Sequence, residues 1–175
     1  TVIKLSGFDK KEFKSFDITK IKDEIEKHFE LLLKRKGLSI KLNDKNKSLS
    51  YECNSFDYLQ YEGDNYVQSI DNLEIKDGRR SGITKINVTT PINIFLRVTR
   101  GKVIGKPPVF IAKSRRINEV NQMNDFKSKH KSDIWAHPNL TGSIDLSRHL
   151  EPKVDRTGFV TSEKKRAIFE YLISL

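Results

Sequence analysis

The order in which helical and strand-like patterns follow one another constrains the fold of this chain most. A strand pattern over residues 2–5 is followed by apolar residues at three- and four-residue spacing, which predicts an amphipathic helix (Ile18, Ile21, Ile25, Phe29, Leu32). Asp17 or Thr19 is expected to cap this helix, and Gly37 to end it. Apolar and polar residues then alternate over 38–42, which predicts a half-buried strand.

The rest of the chain is dominated by strand patterns and ends in a helix. Strands are expected at 83–88, at 92–98 and from Val109 onward. Residues 135–140 are expected to lead into a last strand, which ends at 142–146. The polar stretch 118–133 predicts a loop. Thr161 or Ser162 caps the last helix, whose inward face is expected to hold Ala167 or Ile168, Tyr171 or Leu172, and Leu175.

These patterns predict an α+β fold with a mixed β-sheet and two main helices packed on one face. The length of 175 residues fits a single domain over 1–175. Residues 43–82 are loosely patterned, and we expect strand fragments there within an insertion or an irregular excursion.

The charge of the chain favours anionic partners. The formal net charge is +10 at pH 7, and the clustered cations that could contact nucleic acid are Arg115, Arg116, Lys164, Lys165 and Arg166. A Lys- and Asn-rich surface without a nucleic-acid partner explains the same charge. No apolar stretch is long enough to span a membrane, and the single Cys53 excludes an intrachain disulfide, so a cytoplasmic or nuclear location without membrane contact is expected.

The run 150–159, Leu-Glu-Pro-Lys-Val-Asp-Arg-Thr-Gly-Phe, is the strongest chemical signal. A turn between the last strand and the last helix displays two cations, Lys153 and Arg156. A cation on a short loop between two rigid elements can hold a phosphate group in a fixed place. The segment 101–107 is not predicted to be a phosphate-binding loop, because its glycines lack the spacing of that motif. No metal site is predicted, because the four histidines show no metal-ligand spacing.

Several segments, in the right order, resemble the transducer domain that follows the nucleotide-binding domain in GHKL ATPases, the class that includes gyrase B, MutL, MORC proteins and the large heat-shock chaperones. The segments that carry this resemblance are 1–5, 21–33, 38–42, 109–111 with 114–117, and 150–152 with Arg156 and Phe159. Together they cover most of the chain except about 43–82.

The resemblance implies a left-handed β-α-β transducer fold. It also implies that Arg156, with Lys153 as the second choice, contacts the γ-phosphate of ATP. MutL and MORC relatives usually have Lys at this place, whereas an Arg there is typical of the heat-shock chaperones. ATP and Mg²⁺ would be bound by a preceding domain that is not in this chain, because the motifs of that nucleotide site do not occur here. The chain is therefore not expected to be catalytic alone.

Three functions remain open. The first is a transducer that couples ATP hydrolysis to dimer closure, in a process that involves DNA. The second is a basic nucleic-acid-binding module, and the third is a scaffold or homodimerisation domain without a ligand. Since the chain starts at Thr1 directly in a strand pattern, we expect it to be a piece of a longer protein.

Overall fold

The computed structural model describes residues 17–44, 47–76, 83–127 and 132–175, and the chain divides into two compact units at Ser55/Phe56. The strand predicted over 2–5 lies outside the described residues. No helix in the described part of the chain is long and apolar enough to cross a membrane.

The first unit contains a broken helix and a β-hairpin. Its elements are α1 (Ile18–His28), α2 (Glu30–Leu33), β1 (Ile40–Asp44) and β2 (Leu49–Cys53). The predicted cap is confirmed, because Asp17 Oδ1 accepts hydrogen bonds from the backbone N–H groups of Thr19 at 3.1 Å and Lys20 at 3.3 Å. The predicted helix is interrupted at Phe29, which separates α1 from α2. β1 and β2 pair antiparallel, and α1 contacts β2.

The second unit contains a larger sheet and the C-terminal helix. Its elements are a 3₁₀ turn (Tyr58–Gln60), β3 (Gly63–Lys76), β4 (Ile83–Thr99), β5 (Val109–Ala112), β6 (Arg115–Glu119), a 3₁₀ turn (Val120–Gln122), α3 (Asn124–Lys127), α4 (Ser132–Trp135), β7 (Leu140–Asp145) and α5 (Glu163–Ser174). Two strands were expected at 83–88 and 92–98, and the structure joins them into the single strand β4. Within 43–82, β2 and β3 are regular strands, while 45–46 and 77–82 lie outside the described residues.

The strands of the second unit form one mixed sheet in the order β3-β4-β7-β5-β6. β5 and β7 are parallel, and the other neighbours are antiparallel. The expected α+β class with a mixed sheet is therefore confirmed. Of the two main helices, α5 packs on this sheet, whereas α1 belongs to the first unit. The left-handed β-α-β connection stays a prediction.

The core of the second unit is aromatic and lies between the sheet and α5. Phe110 on β5 is fully buried, and its ring stacks on Phe169 of α5 with 5.3 Å between the centroids. The ring centroids of Phe126 and Phe159 each lie 5.8 Å from the ring centroid of Phe110. The side chains of α5 that are buried are Ala167, Ile168, Phe169 and Leu172, whereas Leu175 is exposed, so most of the predicted inward face is confirmed.

The prediction of a loop over 118–133 is wrong for most of the described residues in this range. β6 runs to Glu119, and the segment beyond it forms the second 3₁₀ turn, α3 and α4. Val120, Met123 and Phe126 are buried at three-residue spacing, so apolar contacts with the core organise an otherwise polar segment. Trp135 ends α4 instead of leading into a strand.

Candidate functional site

The run 150–160 forms a small hairpin, which we call the 150–160 hairpin. Lys153 N–H donates to Gly158 O at 2.9 Å, and Val160 N–H donates to Glu151 O at 2.9 Å. Leu150 and Phe159 are buried at its base, where Phe159 joins the aromatic core. Since the base is fixed in the core, the turn of the hairpin is held in a defined place.

The turn of the hairpin is closed by its own polar groups. Arg156 N–H donates to Lys153 O at 3.0 Å, and Asp155 Oδ1 accepts from the N–H of Thr157 at 3.1 Å and from its hydroxyl at 2.9 Å. These two hydrogen bonds from Thr157 lower the pKa of the Asp155 carboxyl, with a smaller contribution from the charge of Lys153. Asp155 is therefore an ionised turn-closing residue.

Arg156 lies in an unfavourable backbone conformation. Its φ is 56°, in the left-handed region that glycine adopts readily and L-residues adopt at a cost of about 1–2 kcal/mol. The side chain is half-buried, and Nη1 is buried with no hydrogen-bond partner in the described part of the chain. Lys153, the other predicted cation, is exposed. The two predicted site residues thus share one turn but differ in environment.

A second turn contacts the hairpin and shares its backbone strain. Lys113 and Ser114 connect β5 to β6, and both have positive φ values of 50° and 60°. This is the conformation of a type I′ turn, for which Asn-Gly is preferred. Lys113 Nζ lies 2.5 Å from Glu151 Oε1 at the start of the hairpin. Three of the four described residues other than glycine that have a positive φ therefore lie in these two adjoining turns, and the fourth, Ser48, lies between β1 and β2.

A side-chain hydrogen bond also joins β6 to the hairpin. Asn118 Nδ2 donates to Thr157 O at 3.3 Å. Together with the exposed Lys113–Glu151 ion pair, it links the hairpin to the β5–β6 pair at two places. Neither contact was predicted from the sequence, because Lys-Ser is not a recognised turn signal and the partners are far apart in the chain.

The cations proposed for nucleic-acid contact do not form one surface of equivalent residues. Arg115 and Arg116 lie on β6, where Arg115 is exposed and Arg116 is buried with Nη2 2.6 Å from Glu119 Oε1. Burial and the Glu119 carboxylate together make Arg116 less available to a phosphate than the exposed Arg115.

The other three cations lie in the first turn and a half of α5. Lys164 is half-buried. Lys165 Nζ lies 2.9 Å from Asp125 Oδ2 and 5.0 Å from the centre of the Phe169 ring. Arg166 Nε lies 3.0 Å from Glu170 Oε1. Two of these three charges are therefore balanced within the chain.

A separate polar cleft of about 270 Å³ lies where β7 ends. It was not predicted, although it contains His149. Elsewhere, no three His, Cys, Asp or Glu side chains within 17–44, 47–76, 83–127 and 132–175 come close enough to hold a metal ion.

Neither a scan against protein-family models nor a search of curated proteins found a match to this chain.

Proposed function

We propose that this chain is the transducer domain of a GHKL-type ATPase and acts with an ATP-binding domain that precedes it in the same protein. In this proposal the preceding domain binds ATP and Mg²⁺, and the 150–160 hairpin brings Arg156 to the γ-phosphate. Docking of the hairpin on the nucleotide couples ATP binding and hydrolysis to the closure of a dimer. The chain by itself does not hydrolyse ATP.

The observation that carries this proposal is a guanidinium nitrogen of Arg156, at the turn of an anchored hairpin, that has no hydrogen-bond partner among the described residues. A buried donor without an acceptor costs about 1–3 kcal/mol, and a phosphate oxygen would satisfy it once docking turns the half-buried side chain toward the nucleotide. Arg is suited to this contact because its planar fork can donate to two oxygens of one phosphate. The residue that the resemblance favours is therefore also one whose buried Nη1 has no acceptor among the described residues.

The supports of Arg156 fit a residue that must stay in place during catalysis. Phe159 fixes the hairpin in the core, and Asp155 closes the turn next to the arginine. A positively charged group held at the γ-phosphate stabilises the charge that develops as the phosphoryl group is transferred. In other phosphoryl-transfer enzymes such an arginine is worth about 10³ to 10⁵ in rate.

Lys153 has a lesser role in this proposal. Its side chain is exposed on the same turn, so it adds positive charge near the docked nucleotide without a fixed geometry. We expect its loss to weaken docking of the hairpin more than it slows the chemical step.

The test is ATP turnover by the longer protein that includes the preceding domain. Arg156→Ala is expected to lower kcat about 10³-fold while nucleotide affinity stays within about threefold, because the cation acts on charge that develops in the transition state. Arg156→Lys is expected to recover part of the rate. Lys102→Ala, which removes an exposed cation from a different loop, is the control and is expected to leave kcat unchanged.

Wild-type turnover in Arg156→Ala would exclude this role for the hairpin. Loss of nucleotide binding in that variant, with an unchanged rate for bound ATP, would assign Arg156 to ground-state binding and contradict the proposed action on the transition state.

DNA contact is a second proposal for the same chain, and the net charge of +10 supports it. Arg115 is the exposed member of the predicted set on β6. Affinity for a DNA duplex should then fall steeply as salt rises, with a slope that decreases by about one when a phosphate-contacting cation is removed. Absence of binding at low salt would dismiss this proposal.

A further inference from the structure

The polar cleft at the end of β7 is built from two strands and the turn after them. Asn93 on β4 and Asp145 on β7 face each other in the sheet, and 146–149 turns back over them. The residues that line the cleft are Thr90, Pro91, Asn93, Asp145, Ser147, Arg148 and His149. All except Pro91 carry polar side chains, so the cleft is suited to a polar ligand.

His149 lies in this cleft in surroundings that lower its pKa and so favour the neutral imidazole. Its Nε2 lies 3.4 Å from the backbone oxygen of Pro91, which assigns the proton to Nε2, and Nδ1 is buried without a hydrogen-bond partner in the described part of the chain. Burial lowers the pKa of His149, the nearby charges of Lys164 and Arg148 lower it further, and the Pro91 carbonyl and Asp145 act in the opposite direction.

The charges around His149 are not balanced within the described chain. Arg148 is exposed and Lys164 is half-buried, and neither has an ion pair or a hydrogen bond from its side chain to another described residue. Asp145 is the acid that faces them, but its Oδ1 accepts from both the N–H of Ser147, at 2.9 Å, and the Ser147 hydroxyl. Arg148 in the lining and Lys164 close to His149 thus place two positive charges beside the single negative charge of Asp145, next to hydroxyl and amide groups.

We propose that this cleft binds a phosphoryl group, with Arg148 as its charged contact and the hydroxyl of Thr90 and the amide of Asn93 as neutral donors. A guanidinium can donate to two oxygens of a phosphoryl group, and the neutral donors suit the third. The volume of about 270 Å³ exceeds that of the phosphoryl group and leaves room for the group that it is attached to. The phosphoryl group belongs either to a small phosphate ester or to a nucleic-acid backbone. This inference does not depend on the ATPase proposal.

The proposal predicts a link between anion binding and the protonation of His149. An anion in the cleft offsets the charges of Arg148 and Lys164, so it favours the protonated imidazole and raises the pKa of His149. By linkage, the anion binds more tightly as the pH falls through that pKa. Sulfate is the suitable probe, because its charge stays constant over this pH range while that of phosphate changes.

The experiment follows the imidazole proton signals of the 175-residue chain by NMR, in sulfate and in chloride at equal ionic strength. The signal that is missing in His149→Asn assigns this residue. Sulfate is expected to raise the pKa of His149, and Arg148→Gln to weaken sulfate binding about tenfold. Arg100→Gln removes an exposed arginine that pairs with Glu62, and it is the control that should bind sulfate as the wild type does.

Equal pKa values for His149 in sulfate and chloride would overturn the proposal, and so would equal sulfate affinities in Arg148→Gln and the wild type. Competition then identifies the source of the phosphoryl group. Displacement of sulfate by phenyl phosphate but not by a short DNA duplex supports a small phosphate ester, and displacement by the duplex supports a nucleic-acid backbone.

Discussion

Replacing Arg156 with glycine is expected to leave the second unit more stable than replacing it with alanine, while both changes remove the proposed catalytic cation. The reason is the backbone: a left-handed φ of 56° is costly for an L-residue and easy for glycine. The variant therefore separates the conformation of the turn from the chemistry of the side chain.

The magnitude is obtained by comparing glycine with alanine at the same position. Both substitutions remove the guanidinium and its unpartnered nitrogen, so this part cancels in the difference. Relief of the left-handed conformation favours glycine by about 1–2 kcal/mol, and the greater freedom of glycine in the unfolded chain takes back about 0.5–1 kcal/mol. Arg156→Gly should thus exceed Arg156→Ala in free energy of unfolding by about 1 kcal/mol.

The assay is urea unfolding followed by the fluorescence of Trp135, the single tryptophan, which is buried in the core of the second unit. Val154, at the same turn, is fully exposed and has no positive φ, so it is the matched control. There the order should reverse, with Val154→Ala about 0.5–1 kcal/mol more stable than Val154→Gly. An Arg156→Gly protein less stable than Arg156→Ala would refute the reasoning.

Three further predictions address the same unit. Ser114→Gly should raise the free energy of unfolding above that of Ser114→Ala by about 0.5–1 kcal/mol in urea, because glycine is preferred in the second position of a type I′ turn. Folding lowers the pKa of Asp155, so the ionised carboxylate stabilises the folded state above its ordinary pKa of 3.8, and this stabilisation is lost as the pH falls through the lowered value. In an acid titration, the free energy of unfolding should therefore fall less steeply below pH ~5 in Asp155→Asn than in the wild type. Phe169→Ala should cost about 3–5 kcal/mol in urea unfolding, because it leaves a cavity beside Phe110.

The parts of the fold that were predictable are those whose pattern is long and regular. The helix that becomes α5 and its cap, Ser162, follow from apolar spacing and capping chemistry, and Ser162 Oγ accepts from Lys165 N–H at 3.0 Å as expected. The continuity of β4 was not predicted from the sequence, because a proline such as Pro91 ordinarily lies at the end of a strand or in an edge strand. In the structure the β3–β4 register shifts between Ile70 and Asn72, opposite this region, so the missing N–H is tolerated at a bulge.

Short elements that depend on the core could not be read from local sequence. α3 and α4 are single turns, and a single turn is too short for a helical period to be recognised. Their formation depends on Phe126 and Trp135, whose rings lie 5.8 Å apart in the core that the distant β5 and α5 complete. Tertiary contacts therefore override a polar local composition.

In the candidate site too, the features that could be predicted are those that depend on local sequence. Leu150, Arg156 and Phe159 could be placed on one turn, because their spacing is local. The left-handed conformation of Arg156 could not, because neither Arg nor its neighbours require it. In the structure it occurs between the turn closed by Asp155 and the buried Phe159, contacts that hold the backbone around it. Arg156 destabilises the isolated chain in two ways: its left-handed φ raises the cost of the turn, and its buried Nη1 has no acceptor among the described residues. A docked phosphate could offset only the second effect. The glycine and alanine variants measure the backbone part, and ATP turnover measures the part that depends on the guanidinium.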